Sequence, residues 1–163
     1  MSLVIDSLDL CLNVMTTMAS ATDHNTAKKA ATLAGRLLLT LRNEAELAST
    51  SPELIGKSGD EHSHNLLCSY INDACPGDAI LSEEQMDDFS RLSADRVWII
   101  DPLDGTREFS EYGRDDWAVH VALVEQNLPT AGAVALPSLN RTYCSNDISS
   151  LSKGIEKIRI VCS

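Results

Sequence analysis

The feature that most constrains the fold is an apolar strand-like run that ends in two closely spaced carboxylates. Val97 to Ile100 is β-branched and aromatic and leads directly into Asp101-Pro-Leu-Asp-Gly-Thr106. The proline has a fixed φ and no N–H, which favours a turn immediately after the strand. Such a turn brings the carboxylates of Asp101 and Asp104 and the Leu103 carbonyl to one side of the strand end. Because Mg²⁺ prefers hard oxygen ligands, the sequence predicts a magnesium site here.

Two other acidic motifs do not fit the spacing of this hexapeptide. An EF-hand loop has glycine at its sixth position, and counting back from Gly105 puts Ile100 where the first acidic ligand is required. A phosphatase with an aspartyl nucleophile has its two acids two residues apart, whereas Asp101 and Asp104 are three apart with Pro102 at the nucleophile position. If the hexapeptide binds no metal, the remaining alternative is an ordinary Asp-Pro turn followed by an Asp-Gly turn.

A second acidic element also follows a short strand. Glu83 and Glu84 come directly after Ile80 and Leu81. If that strand lies beside the strand of Val97, Glu83 reaches the same sheet edge as Asp101. Residues 82–116 hold 11 acidic and 4 basic side chains, which is most of the chain's net charge of −11. A solvated surface position is expected for the other acids considered in this stretch, namely Asp87, Asp88, Asp95, Asp115 and Asp116.

The net charge argues against two classes of binding partner, and the cysteine pattern indicates where in the cell the protein is located. An excess of acidic side chains argues against nucleic acid or an anionic membrane as a partner, because both are bound through clustered Lys and Arg. An anionic substrate would therefore need a bound cation. The five cysteines are scattered without zinc-type spacing, and the N-terminus has no signal-peptide pattern, so a cytoplasmic protein with reduced thiols is expected. The histidines His62, His64 and His120 are expected on the surface or as satisfied core residues.

Hydrophobic periodicity predicts an α+β fold with N-terminal helices packed on a mostly antiparallel sheet. A helix from an N-cap at Asp23 to Arg42 or Asn43 is followed by a loop or irregular strand over 49–59 and by a helix from Asp60 or Glu61 to Asp73. The N-cap of this second helix is an alternative role for Asp60. The predicted strands are Ala79 to Leu81, Arg96 to Ile100, Trp117 to Val124, Ala131 to Leu136, Arg141 to Cys144 at the edge, and Lys157 to Cys162.

This pattern predicts three regions along the chain. Residues 1–23 form an N-terminal extension, expected to be helical, and residues 24–154 form the α+β metal-binding domain. Residues 155–163 are expected to be the first strand of a further, C-terminal domain.

The motifs together resemble a known superfamily. Leu81-Ser-Glu-Glu84 and Trp98-Ile-Ile-Asp-Pro-Leu-Asp-Gly-Thr-Arg-Glu-Phe109 are similar to the inositol monophosphatase and fructose-1,6-bisphosphatase superfamily, and within it to CysQ-type 3'(2'),5'-bisphosphate nucleotidases. The resemblance extends to Gly59-Asp60, Asp115-Asp-Trp-Ala-Val-His-Val-Ala-Leu123 and Ala131-Gly-Ala-Val-Ala-Leu-Pro137. It implies the N-terminal half of a layered α/β/α/β/α sugar-phosphatase fold.

The resemblance also implies roles for individual residues. Two or three Mg²⁺ ions would be bound by Glu83, Asp101, Asp104 and the Leu103 carbonyl. Glu84 would lie next to these ligands without binding an ion. Inhibition by Li⁺ is expected. The substrate phosphate would contact Glu83 and Leu103 to Thr106, including Asp104 and Gly105. Asp60 and the Thr106 hydroxyl would take the proton from the attacking water. The expected reaction is hydrolysis of 3'-phosphoadenosine 5'-phosphate, or its sulfated analogue, to AMP and phosphate.

One departure from the superfamily pattern keeps alternatives open. Members carry a Trp-Asp motif whose acid completes the metal site, and this sequence contains no Trp-Asp pair. Weak or no turnover is therefore expected from the 163 residues alone. The alternatives are activity on inositol phosphate or fructose bisphosphate, or a truncated, non-catalytic fragment that binds metal and phosphate, with a homodimer as a possible state.

Overall fold

A computed structural model describes residues 19–85 and 89–150. Two long helices pack on one face of a five-stranded sheet in the order β1-β2-β3-β4-β5. The β1–β2 pair is parallel and the other pairs are antiparallel, which confirms the predicted α+β arrangement. The elements are α1 (Ala21–Leu47), α2 (Pro52–Ala74), β1 (Ala79–Ser82), β2 (Arg96–Asp104), α3 (Thr106–Ser110), β3 (Ala118–Glu125), β4 (Leu128–Leu136) and β5 (Arg141–Cys144).

The N-cap of helix α1 lies three residues earlier than the predicted one at Asp23. Ser20 is the N-cap, and its hydroxyl accepts a hydrogen bond from the Asp23 backbone N–H. The Asp23 carboxylate in turn accepts from the Ser20 backbone N–H at 2.7 Å, so Asp23 occupies the third position of a capping box. The prediction that α1 ends near Arg42 was also wrong, because the segment up to Leu47 contains good helix formers and no breaker.

Helix α2 begins at Pro52, so the predicted loop over 49–59 was wrong. Proline suits the first turn of a helix, where its missing N–H has no intrahelical partner to lose. Gly56 and Gly59 are buried within the helix and serve close packing rather than a turn. A Cβ at Gly59 would lie 2.8 Å from Phe109 and 2.9 Å from Leu103. Asp60 is consequently in the helix interior and is not an N-cap.

The sheet register brings the strand ends that carry the acidic motifs together. Ser82 at the end of β1 pairs with Ile100 of β2, which confirms that the two strands are neighbours. Strand β2 continues past the predicted end at Ile100, and its pairing with β3 shifts register between Asp101 and Asp104. A proline is tolerated at such an irregularity because no ladder hydrogen bond is required of it.

The β3–β4 hairpin is tighter than predicted. Its turn consists of Gln126 and Asn127, which have φ values of 50° and 63°. Two positive φ values match the twist of adjacent antiparallel strands, which explains why β4 begins at Leu128 rather than at Ala131. Strand β5 follows at the predicted edge position.

The core lies between the two long helices and one face of the sheet. Its largest buried side chains include Trp98, Phe109 and Trp117. The alanine-rich face of α1 permits close approach of the helix to β3 and β4. On the other face of the sheet, Ile99, Val134 and Tyr143 are exposed. Neither long helix of the described part carries the run of apolar residues needed to cross a bilayer.

Arg96 at the start of β2 ties four parts of the fold together. Its guanidinium pairs with Asp23 of α1 at 2.6 Å, with Asp78 just before β1 at 3.1 Å, and with Glu125 at the end of β3. The indole N–H of Trp98 also donates to Asp78, at 2.8 Å. These contacts fix β1, β2 and β3 relative to α1. They lie at the end of the sheet where β2 begins, opposite the end that carries the acidic motifs.

Some predicted features lie outside the described residues. They are the helical extension before Ala19, the surface acids Asp87 and Asp88, and the strand from Lys157 to Cys162.

Candidate metal centre

Two carboxylates and one imidazole converge where β2 ends. Asp101 pairs across the β2–β3 ladder with His120, and the Asp101 Oδ2 atom lies 3.6 Å from the His120 Nδ1 atom. The Asp104 Oδ2 atom lies 3.8 Å from the His120 Nε2 atom. One ligand atom from each of these three side chains lies within 4.8 Å of the other two. We refer to Asp101, Asp104 and His120 as the acidic centre.

The buried carboxylate of this centre has an unused acceptor. The Oδ1 atom of Asp101 is buried and accepts no hydrogen bond from the described residues. A buried polar atom without a partner is costly, and a cation is a suitable partner for a carboxylate oxygen. Asp104 is more exposed, so the centre is open to solvent on one side. The donor set therefore fits a divalent cation with remaining positions for water or substrate.

Glu83 follows β1 and lies beside the acidic centre, as its strand register predicted. Partial desolvation and the neighbouring Asp101 raise the pKa of the Glu83 carboxyl to about 7, with further contributions from Glu84 and Asp104. Burial alone would raise the pKa of Asp101, but its contacts with His120 and Glu83 lower it overall. Several carboxylates repel one another at these strand ends, and a bound cation would reduce this repulsion.

Thr106 joins the hexapeptide to helix α2. Its hydroxyl donates to the Asp60 Oδ1 atom at 3.1 Å and also lies 3.2 Å from the Leu103 carbonyl oxygen. Burial is the main cause that raises the pKa of Asp60 to about 6, and the charges of Glu84 and Asp101 add to it. The Thr106 hydrogen bond acts in the opposite direction. The structure thus brings together the two residues for which the sequence resemblance implied a shared role.

Helix α2 also supports the backbone of the hexapeptide. The buried Ser63 hydroxyl donates to the Pro102 carbonyl at 2.6 Å. One turn earlier, Gly59 allows Leu103 to pack directly on the helix, and Gly56 lies against Thr106. Gly105 has φ 84°, a left-handed conformation that disfavours any other residue at this position. The small residues of α2 therefore determine how closely the turn approaches Asp60.

Arg42 stabilises the segment that follows α3, although nothing in the sequence motif indicates it. Its guanidinium donates to the Arg114 carbonyl at 2.8 Å and to the Glu111 carbonyl. It also lies 5.8 Å from the centre of the Phe109 ring and 5.7 Å from that of Trp117. Arg42 is buried, so α1 holds the far side of α3 in place.

A cleft of about 370 Å³ borders the Asp60 side of the centre. It is lined by Lys57, Asp60, Glu61, His64 and Glu84. The Nδ1 atom of His64 lies 2.9 Å from the Ser82 hydroxyl, so this histidine has a partner, as expected.

The exposed positions expected for Asp95, Asp115 and Asp116 are confirmed, and Asp116 pairs with Arg114.

The fold and these residues identify the class of protein. The sequence profile of the inositol monophosphatase family matches residues 18–160, and the chain belongs to this family. A 3'-phosphoadenosine 5'-phosphate phosphatase from Mycobacterium leprae is 48% identical in an alignment 141 residues long, which covers 80% of this chain and 51% of that protein. The chain spans about half the length of the curated relatives it matches.

Solved structures of the family show the same fold. CysQ from Bacteroides thetaiotaomicron, a bacterial member of the inositol monophosphatase family, is 31% identical with a TM-score of 0.61, covering 75% of this chain and 45% of that one. Mycobacterium tuberculosis SuhB is 26% identical with a TM-score of 0.61, covering 75% and 43%. The predicted likeness to the N-terminal half of the family's fold is confirmed.

Proposed function

We propose that this chain carries the cation-binding part of a magnesium-dependent phosphomonoesterase that hydrolyses 3'-phosphoadenosine 5'-phosphate, or its sulfated analogue. The observation that supports it most is the position of the Thr106–Asp60 pair directly beside the acidic centre. A cation site and a proton-accepting pair at one strand end are the two requirements for attack of water on a phosphate ester.

The proposed ligands of Mg²⁺ are Glu83, Asp101, Asp104 and the Leu103 carbonyl. The unpartnered Oδ1 atom of Asp101 and the raised pKa of Glu83 support a cation at this place. When bound, the cation would neutralise charge on the phosphoryl oxygens and lower the pKa of the attacking water. Glu84 lines the neighbouring cleft. Its negative charge would add to that of the ligands, without Glu84 binding the ion itself.

Asp60 and Thr106 are proposed to move the proton. The Thr106 hydroxyl already donates to Asp60, so its oxygen can accept a hydrogen bond from the water; as the water proton moves to this oxygen, the hydroxyl proton would move to the Asp60 carboxylate. With a pKa of about 6, the Asp60 carboxylate is ionised at neutral pH and is more basic than an ordinary aspartate. Backbone groups from Leu103 to Thr106, with Gly105 in its left-handed conformation, are proposed to contact the phosphate together with Glu83 and Asp104.

The choice of substrate rests on relatives and on charge. Proteins about half identical to this chain over their matched residues are named 3'-phosphoadenosine 5'-phosphate phosphatases. A chain with a net charge of −11 needs a bound cation to attract so anionic a molecule. A cytoplasmic location belongs to the proposal, since the described cysteines Cys68, Cys75 and Cys144 are not paired in disulfides. Residues 24–154 are proposed as the domain unit that carries the site.

The proposal is tested by phosphate release from the full-length gene product in the presence and absence of Mg²⁺. The substrates compared are 3'-phosphoadenosine 5'-phosphate, inositol 1-phosphate and fructose 1,6-bisphosphate. We expect magnesium-dependent release that is fastest from the nucleotide and is reduced at least about 100-fold by Asp104→Asn. Asp95→Asn, at an exposed acid outside the site, is the matched control and should leave the rate unchanged. Absence of magnesium-dependent release from all three substrates would refute the phosphatase proposal, and faster release from a sugar phosphate would refute the substrate.

A further inference from the structure

We propose that His120 is a nitrogen ligand of the cation held by the acidic centre, and that it shifts the preference of this centre from Mg²⁺ towards first-row transition ions such as Mn²⁺. The inference rests on the proposed function, because it concerns the same strand end. His120 would be a further ligand of the cation, although the sequence predicted it to be a surface or satisfied core residue.

The His120 imidazole is oriented towards both carboxylates of the acidic centre. His120 lies opposite Asp101 in the β2–β3 ladder, so its side chain is on the same face as the carboxylate. Its two ring nitrogens face two different carboxylates, with Nδ1 towards Asp101 and Nε2 towards Asp104. Ligand atoms about 2 Å from one ion lie up to about 4 Å apart, so the 4.8 Å limit of this group requires only small adjustments of side chains.

Among the described residues, the side-chain partners of the His120 ring are the two carboxylates of the acidic centre itself. The other three histidines each have a close partner: His24 with Ser145 at 3.0 Å, His62 with Ser58 at 2.8 Å, and His64 with Ser82 at 2.9 Å. His120, in contrast, lies 3.6 Å from the Asp101 carboxylate and 3.8 Å from that of Asp104. These separations exceed a hydrogen bond and leave room for rearrangement around an ion.

The unpartnered Oδ1 atom of Asp101 also supports a cation at this carboxylate. That atom is buried and accepts no hydrogen bond from the described residues, while the Oδ2 atom of the same carboxylate faces His120, so an ion bound by the carboxylate would neutralise its charge. The His120 side chain is 40% exposed, so the ring has space to turn towards such an ion. The carboxylate and the imidazole therefore approach one position from two neighbouring strands.

The chemistry of the donor set then determines the preference. Mg²⁺ takes oxygen ligands and rarely accepts imidazole, whereas Mn²⁺ and the later transition ions accept a mixture of carboxylate and imidazole. Adding the His120 nitrogen, in a position where Mg²⁺ would keep a water, lowers the relative affinity for Mg²⁺. A centre with two carboxylates and one imidazole should accordingly bind Mn²⁺ more tightly than Mg²⁺.

Mn²⁺ provides a direct spectroscopic test on the 163-residue chain. We expect pulsed electron paramagnetic resonance of the Mn²⁺-loaded chain to show modulation from a directly bound ¹⁴N nucleus. His120→Ala and the bulkier His120→Gln should both lose this modulation. Both should also reduce the preference for Mn²⁺ over Mg²⁺, measured by competition, on the order of 10-fold. His62→Ala is the matched control, because His62 is exposed and bonded to Ser58, and it should change neither quantity.

The possible failures separate this inference from the proposed function. If Mn²⁺ and Mg²⁺ bind to the wild-type chain and Asp101→Asn abolishes binding, but no nitrogen modulation is present, His120 is not a ligand while the carboxylate site stands. If neither ion binds, the proposed site itself is refuted, and the inference with it. Nitrogen modulation that persists in both His120 variants would assign the nitrogen to another residue and overturn the inference.

Discussion

Asp60 is a half-buried carboxyl in the interior of α2, and its ionisation is coupled to the fold. Burial raises the pKa of its carboxyl from 3.8 to about 6. Because the folded-state pKa is the higher one, the protonated form is favoured by folding. The stabilisation is fully present below pH 3.8 and is lost as the pH rises through about 6. At neutral pH the fold therefore holds a carboxylate at a cost in stability, which is typical of residues retained for chemistry.

We expect Asp60→Asn to increase the stability of the metal-free chain at pH 8 and to leave it nearly unchanged at pH 4. The amide stays neutral and keeps an oxygen that accepts from Thr106, so only the ionisation penalty is removed. Thermal denaturation with EDTA at the two pH values measures the difference. The same substitution should abolish phosphate release by the full-length protein. An Asp60→Asn protein less stable than wild type at pH 8 would show that the carboxylate serves the fold.

Single residues of the site differ in how far the sequence alone could locate them. The sequence could locate Asp101, Asp104 and Glu83, because Asp101 and Glu83 come just after apolar strand-like runs, Asp104 follows Asp101 within the same hexapeptide, and the ends of neighbouring parallel strands lie together. The position of His120 depends on the β2–β3 register, which a pattern of apolar residues does not determine. Ser63 and Arg42 act through the carbonyls of Pro102, Arg114 and Glu111, and such backbone contacts leave no signal in a side-chain motif.

At the scale of elements, α2 is where sequence patterning failed most. Gly56 and Gly59 are ordinary indicators of a loop, yet here they lie within a helix against Thr106 and Leu103. Only the packed structure explains them, because the space that they leave is filled by α3 and the end of β2. The strands were predicted more accurately, since short apolar runs rich in β-branched residues and separated by turn residues are visible locally.

The Arg96 network gives a test at this scale, since it joins α1, β1, β2 and β3. Arg96→Met should lower the free energy of unfolding by roughly 3 kcal/mol at pH 7, because the substitution leaves three largely buried carboxylates without their cation. Urea denaturation measures this change. The control is Arg107→Met, which removes an exposed pair with Glu111 and should cost below about 0.5 kcal/mol. Equal losses for the two variants would mean that the network does not hold the strands together.

For the whole molecule, the predicted α+β architecture and family were correct, whereas the details of the candidate metal centre depend on three-dimensional packing. A single acidic stretch of the sequence supplies Glu83, Asp101 and Asp104, while α2 supplies Asp60 and β3 supplies His120. The sequence could predict the first set because its members lie at the ends of two strand-like runs, and the family resemblance pointed to Asp60. The position of His120 opposite Asp101 follows from the β2–β3 register, and the close approach of Asp60 to Thr106 follows from the glycine-mediated contact of α2; both are properties of the folded chain.

The central claim is that Asp101 and Asp104 hold a divalent cation, and calorimetric titration of Mg²⁺ into the 163-residue chain tests it most directly. We expect a saturable heat of binding for the wild-type chain that is lost in Asp101→Asn and in Asp104→Asn. Asp115→Asn, which neutralises an exposed acid of the same region, should bind as the wild type does. A heat of binding that survives both substitutions, with unchanged affinity, would contradict the claim.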